Sequence, residues 1–179
     1  MYSNFDANFY ANYIRTLLFA SNSDGNSHVI MVNIAQLKKL RQETGLSISE
    51  CKKALEETKG NINLAKEILR KWGREFAQKQ SKRKVKEGLI ATYLHPNKKI
   101  GVILELNCET DFVARSEDFQ KLAHELCLQI AAMNPQDIDS LFNQPWIKEE
   151  TKNIEDLIES FIAKLGENIV IRRFTRYEI

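Results

Sequence analysis

The length, composition and charge of this chain are those of a globular protein. It has 179 residues, of which 43% are hydrophobic and 28% are charged, which is typical of a soluble protein rather than a disordered or membrane-embedded one. The formal net charge of +2 is too small to indicate nucleic-acid binding on its own. The length allows one ordinary domain, or a small domain attached to a medium one.

The cysteines and histidines give no sign of a disulfide framework or a metal site. The three cysteines are odd in number and have no C-x-x-C spacing, which predicts a reducing, cytoplasmic location. The three histidines lie too far apart in the sequence to match metal-ligand spacing. No apolar run approaches the roughly 20 residues of a membrane-spanning helix. We therefore expect no metal, no cofactor and no membrane contact.

Residues 1–30 differ from the rest of the chain. They are rich in asparagine and serine and contain a single basic residue, Arg15. The apolar patch at residues 17–20 is too short for a secretory signal, and a transit peptide would contain more arginine. We interpret residues 1–30 as a flexible N-terminal extension, or as the product of an over-long gene start upstream of Met31, and we leave them out of the fold.

Residues 31–73 show the pattern of a three-helix module. Gly45 is predicted to end the first helix, and Ser47 with Glu50 forms a capping-box signature for the second. Asn61 is predicted to cap the third helix, and Gly73 to end it.

Residues 74–87 are predicted to form a basic linker helix. Seven basic side chains lie between positions 71 and 86, opposed only by Glu75. Such a run would support salt-dependent contact with RNA phosphates. Phe76 is the one aromatic residue within 74–87, and this scarcity of stacking residues favours a solvated basic face over an RNA-binding one.

Residues 88–179 are predicted to form an α+β core domain. Strands are predicted over residues 88–95, 100–108 and 168–178, and helices over residues 116–133 and 154–165. The connection from 135 to 148 is predicted to be irregular. The fold class is therefore α+β: an N-terminal three-helix module joined to a three-stranded antiparallel sheet with helices on one face.

The segment 107–115, Asn-Cys-Glu-Thr-Asp-Phe-Val-Ala-Arg, lies between the clearest strand and the clearest helix. Thr110 or Asp111 is predicted to cap a short helical turn, which leaves Phe112 as either a core residue or an exposed one. Junctions of this kind often carry function because a rigid scaffold positions them. Glu109 and Asp111 form a possible pair of catalytic carboxylates, but we interpret them as solvated acids or caps, since no nucleophile–base motif accompanies them. We expect a binding protein and not an enzyme.

Three segments resemble the elongation factor Ts family, and they occur in the family's order. Residues 40–55, with Leu-Arg-x-x-Thr-Gly and then Glu-Cys-Lys-Lys-Ala-Leu, resemble the family's N-terminal module, which is similar to ubiquitin-associated (UBA) domains. Residues 107–115 and 166–174 resemble the two signature motifs of the family. The resemblance covers residues 31–179.

The resemblance implies a guanine nucleotide exchange factor that promotes GDP release from elongation factor Tu during translation elongation. The segment by which the family disturbs the magnesium site of this GTPase is matched by Thr110, Asp111, Phe112 and Val113. Phe112 would insert between helices of the partner, and Asp111 would contact it nearby. Arg41 matches a residue through which the N-terminal module holds the GTP-binding domain.

The short connection between Met133 and Ile154 resembles the short forms of the family, which correspond to half of a duplicated core and pair as homodimers. The resemblance implies a non-covalent dimer here, because Thr175 stands where such forms would carry a linking cysteine. It implies no direct contact with nucleic acid. Two alternatives remain open from the residues: a ribosome- or RNA-associated binding module that uses the basic linker, and an adaptor for a ubiquitin-like partner that uses the three-helix module.

Overall fold

The structure, a computed structural model, describes residues 33–179. The extension expected over residues 1–30 lies outside the described residues. No helix in the described part of the chain is long and apolar enough to cross a membrane.

Three helices come first, and their ends follow the capping signals in the sequence. They are α1 (Ile34–Thr44), α2 (Ile48–Glu57) and α3 (Ile62–Gln80). Gly45 ends α1 in the left-handed conformation, and Ser47 and Glu50 make both hydrogen bonds of a capping box before α2. The Asn61 side chain accepts from two backbone N–H groups at the start of α3. The helices enclose a small apolar cluster of Leu40, Cys51, Ala54, Leu55, Ala65 and Leu69.

The rest of the chain alternates strands with helices. In order, the elements are β1 (Glu87–Leu94), β2 (Ile100–Cys108), α4 (Asp111–Ala114), α5 (Glu117–Met133), α6 (Ile138–Asn143), β3 (Pro145–Trp146), β4 (Glu149–Asn153), α7 (Ile154–Leu165) and β5 (Val170–Glu178). β1, β2 and β5 form an antiparallel sheet with β2 in the centre. Leu104 of β2 lies opposite Ala91 of β1 and Phe174 of β5. The predicted α+β class with a three-stranded antiparallel sheet is confirmed.

Among residues 33–179, helices cover one face of this sheet and leave the other face, here called the open face, uncovered. On the covered face, Val102, Leu104 and Leu106 are buried in the main core together with residues of α5 and α7. On the open face, the side chains of Ile90, Leu94, Ile103 and Tyr177 are 48–66% exposed. The alternation of β2 therefore separates a core face from a partly apolar outer face.

The third helix does not end at Gly73 as predicted. α3 continues to Gln80, so residues 74–80 of the predicted linker are its last turns, and residues 81–86 form a loop before β1. Gly73 is buried against α7, where the Cβ of Ala163 lies 3.6 Å from the position that a Cβ on Gly73 would take. Glycine lowers helix propensity by only about 1 kcal/mol relative to alanine, and packing on α7 outweighs that cost.

The irregular connection predicted over residues 135–148 is also wrong. It contains α6, whose capping box is made by Asp137 and Ser140, and the first strand of the β3–β4 hairpin. Gln129 of α5 holds this hairpin: its Nε2 donates to the Pro145 carbonyl at 3.1 Å, and its Oε1 accepts from the Ile147 N–H at 3.0 Å. A six-residue helix and a two-residue strand are too short to produce a periodic pattern in the sequence.

Candidate partner-binding site

The turn between β2 and α5 is held at both ends by side-chain caps. Thr110 has extended backbone, and its Oγ1 accepts from the Val113 N–H at 3.4 Å, which starts the four-residue helix α4. Ser116 donates its hydroxyl to the Val113 carbonyl at 2.8 Å and accepts from the Phe119 N–H at 3.3 Å, which starts α5. The predicted cap at Thr110 is confirmed, and the two caps fix the turn.

Phe112 projects from this turn into solvent. Its side chain is 81% exposed, whereas Val113 is only 5% exposed and Ala114 is also buried. Successive residues of a helix point about 100° apart, so anchoring Val113 and Ala114 in the core directs Phe112 outwards. The interpretation of Phe112 as a core residue is wrong for this chain.

The other predicted residues of the segment occupy different environments. Asp111 is exposed and forms an ion pair with Arg115 one helical turn later, and that arginine is exposed as well. Val113 lies in the main core, where it anchors the turn. An exposed ion pair contributes little stability, so Asp111 is available to exchange Arg115 for another cationic partner.

Glu167 fixes the start of the turn from the other end of the domain. Its Oε2 accepts from the backbone N–H groups of Glu109 at 3.1 Å and Thr110 at 3.0 Å. Its Oε1 accepts from the Thr110 hydroxyl at 2.6 Å. The Glu167 carboxylate therefore accepts three hydrogen bonds from the segment 107–115.

Glu109 returns the interaction to the C-terminal segment. Its Oε1 accepts from the Asn168 N–H at 2.7 Å, and its Oε2 lies 3.6 Å from a guanidinium nitrogen of Arg83. The Asn168 side chain is buried and donates to the carbonyls of Arg83 at 2.8 Å and Ser81 at 3.4 Å. We call Glu109, Glu167 and Asn168 the clasp, because each of its two carboxylates binds backbone of the other's segment.

Sequence reasoning missed the clasp. The sequence pattern predicts a solvated acid or a cap at Glu109, and it predicts no role for Glu167, which lies within the motif 166–174. Glu109 and Glu167 are 58 residues apart, so no local spacing rule connects them. The only local signal is a glutamate in each of the two motifs: Glu109 lies just before the turn, and Glu167 lies just after Gly166, which ends α7.

Arg41 lies in a different part of the molecule from the turn. It is an exposed residue in the last turn of α1, and its backbone carbonyl accepts from the Gly45 N–H at 2.8 Å. Leu40, its neighbour, is fully buried in the three-helix cluster. Arg41 therefore lies beside the three-helix cluster, whereas Phe112 lies beside residues of the main core.

A groove between α3 and α7 is the second candidate site. Its charged rim is neutralised by ion pairs: Arg74 with Asp156 and Glu159, and Lys66 with Glu43. Burial raises the pKa of Glu159, with the nearby Glu155 carboxylate adding to the effect. Within residues 33–179, no group of three or more His, Cys, Asp or Glu side chains is arranged to hold a metal ion. The turn at Phe112 is therefore the stronger candidate site.

An α+β scaffold that presents an exposed aromatic side chain on a capped turn has the form of a binding protein, because loops held by a scaffold commonly carry binding residues. The family model for elongation factor Ts matches residues 109–179, which include the turn, the clasp and β5. Elongation factor Ts from Thermotoga sp. (strain RQ2) is 41% identical over 191 aligned positions, which cover 83% of this chain and 96% of the relative. The chain belongs to the elongation factor Ts family.

Other relatives give the same result. Elongation factor Ts from Thermodesulfovibrio yellowstonii is 41% identical, with 83% of this chain and 96% of the relative covered. The protein of the same name from Herpetosiphon aurantiacus is 38% identical, with 83% and 98% covered. Each alignment is longer than the 179 residues of this chain, so these relatives contain internal segments that this chain lacks.

Proposed function

We propose that this chain is a guanine nucleotide exchange factor that promotes GDP release from elongation factor Tu. Membership of the elongation factor Ts family supports the partner and the reaction. The single observation that carries the mechanism is the 81% exposure of Phe112 on a turn that is capped at both ends. Because the chain would act by binding, it needs neither a covalent intermediate nor a cofactor of its own.

Phe112 would act as a wedge that is buried only in the partner. Burying a phenylalanine contributes about 1.5–3 kcal/mol, which corresponds to about a 10- to 100-fold change in an equilibrium constant. A GTPase holds GDP through Mg²⁺ and phosphate contacts, and binding energies at the two sites are coupled reciprocally. The remaining loss of GDP affinity would come from distortion of the partner's magnesium site by Thr110 and Asp111, which lie in the same turn as Phe112.

The three-helix module would provide a second contact with the GTPase. We propose that it is a UBA-like module that holds the GTP-binding domain through Arg41. α3 belongs to this module and also packs on α7 of the core, where Arg74 pairs with Asp156 and Glu159. This packing would keep Arg41 and Phe112 in a fixed relation, so that docking of the module directs the wedge.

The open face of the sheet supports a non-covalent homodimer. Ile90, Leu94, Ile103 and Tyr177 give this face exposed apolar surface, and Glu105 and Arg173 neutralise each other at 2.7 Å. Two copies could therefore meet face to face in an isologous dimer without like-charge repulsion. Three strands of up to nine residues span about 450 Å², about half of a standard interface per partner, so we expect a weak dimer.

The alternative function, an RNA- or ribosome-associated module, rests on the loop that follows α3. Lys82, Lys84 and Lys86 are exposed in this loop, and none of them forms an ion pair with another described residue. Phe76, the aromatic residue within 74–87, packs against the main core and is not presented for base stacking. We therefore favour the exchange factor. A cytoplasmic location stays a prediction.

Release of fluorescent GDP from purified elongation factor Tu tests the proposal. The expected result is faster release that saturates with the concentration of this chain. Excess Mg²⁺ should reduce the acceleration, because Mg²⁺ favours the GDP-bound state that the chain would destabilise. A release rate that does not change with this chain at any concentration would refute the proposed function. In that case, salt-dependent binding to RNA would be evidence for the alternative.

A further inference from the structure

We propose that Glu167 and Glu109 are positioning residues that hold Phe112 in the orientation used on the GTPase. This assignment rests on the exchange function proposed above. Both glutamates belong to the clasp. Unlike Phe112, the members of the clasp do not project into solvent: the side chain of Glu109 is 19% exposed and Asn168 is 3% exposed. The clasp would act on the partner only through the turn.

The first reason is the set of atoms that Glu167 binds. Glu167 accepts hydrogen bonds from two backbone N–H groups, those of Glu109 and Thr110, which are the two residues immediately before α4. Hydrogen bonds to an ionised acceptor are about twice as strong as neutral ones, and here they fix the backbone that leads into Phe112. A change in that backbone would rotate α4 and carry the exposed ring with it.

The second reason is that the clasp closes in both directions. The Glu109 carboxylate accepts from the Asn168 N–H at 2.7 Å. In the other direction, the carboxylate of Glu167, which precedes Asn168 in the chain, accepts from the Glu109 N–H at 3.1 Å. The buried Asn168 side chain then ties this junction to the loop after α3 through the Arg83 carbonyl at 2.8 Å. The turn is thus connected to β5 and to the end of the three-helix module at one point.

The third reason is that the clasp is not required to bury the core. Val113 and Ala114 anchor α4 by burial, and the cap from Thr110 Oγ1 to the Val113 N–H does not involve Glu167, so we expect it to remain when Glu167 is removed. Thr110 is exposed, so water can reach its N–H group if the carboxylate is absent. Loss of Glu167 should therefore broaden the orientation of the turn more than it destabilises the fold.

The test compares Glu167→Ala and Glu167→Gln with the control Glu150→Ala. Glu150 is an exposed residue of β4 without a side-chain partner among the described residues, so its variant controls for loss of a surface carboxylate. The measurements are GDP release from elongation factor Tu against the concentration of each variant, thermal unfolding, and amide hydrogen exchange in the free protein.

Glu167→Ala should lower the saturating rate of GDP release about 10-fold, which is less than the roughly 100-fold that a 1 Å misplacement can cost in an enzyme active site. The concentration that gives half the maximal rate should change less than about 2-fold, because the other contacts remain. Glu167→Gln, which keeps one carbonyl acceptor for the two N–H groups, should give an intermediate rate. Glu150→Ala should match the wild type.

Two further results separate positioning from a general structural role. The amides of Glu109 and Thr110 should exchange about 10-fold faster in Glu167→Ala, while those of β2 stay protected. In a Phe112→Ala background, Glu167→Ala should cause no further loss of saturating rate, because it acts through the ring.

The proposal is overturned if Glu167→Ala releases GDP at the wild-type rate, if its effect multiplies that of Phe112→Ala, or if the two amides keep their protection. If the wild-type chain itself fails to accelerate GDP release, the proposed function fails. In that case, amide hydrogen exchange of Glu109 and Thr110 in the free protein would still show whether the clasp orders the turn.

Discussion

The substitution Phe112→Ala separates a partner-binding phenylalanine from a core one. Only about a fifth of the Phe112 side chain is shielded in the folded chain, compared with all of Phe119 seven residues later. Full burial of phenylalanine contributes about 1.5–3 kcal/mol, so Phe112 contributes about 0.5 kcal/mol to folding. Alanine also has the higher helix propensity, which offsets most of this loss.

The matched control is Phe119→Ala, which removes a completely buried ring from the main core. Substitutions of this kind cost about 3–5 kcal/mol. For a chain of this size, 1 kcal/mol corresponds to about 2–4 °C in Tm. Phe112→Ala should therefore shift the Tm by less than about 2 °C, and Phe119→Ala should lower it by about 6–20 °C, measured by circular dichroism.

GDP release should show the opposite order. Phe112→Ala should slow the release stimulated by this chain by about 10- to 100-fold, the equivalent of the burial energy that the wedge loses in the partner. Asp111→Ala should slow it as well, and the double variant should lose less than the product of the two effects, because both side chains enter one site. The reasoning is refuted if Phe112→Ala unfolds like Phe119→Ala and the remaining folded molecules release GDP normally.

Three other changes test the rest of the structure. Gly73→Ala should raise the free energy of unfolding by about 0.5–1 kcal/mol, because alanine favours the helix. The new Cβ would lie 3.6 Å from the Cβ of Ala163, which is an ordinary contact distance. A lower Tm would mean that α3 and α7 cannot accommodate a methyl group. Ile103→Glu should place two like charges near the centre of the proposed dimer, so light scattering should change from dimer to monomer with an unchanged circular dichroism spectrum; a wild-type chain that is monomeric at all concentrations would disprove the dimer. Arg41→Ala should raise the concentration of this chain needed for half-maximal GDP release while the fold is kept, and unchanged affinity would mean that the three-helix module docks through another surface.

Capping and alternation in the sequence determined most of the element boundaries. Gly45 ends a helix and the Ser47–Glu50 capping box starts one where their signals predict, because caps satisfy backbone groups within a few residues. The alternation of apolar residues along β2 matches the burial of its side chains on the core face. The same local chemistry at Thr110 predicted the short turn that carries Phe112.

Only the tertiary structure decided which features act at a distance. Gly73 carries the ordinary signal for a helix end, and packing of α3 on α7 overrides it. The exposure of Phe112 depends on the burial of Val113 and Ala114 in a core that is built from distant segments. The clasp joins Glu109 to Glu167 across 58 residues. Hydrogen bonds between neighbours in the chain leave a pattern in the sequence, whereas contacts between distant segments exist only once the chain has folded.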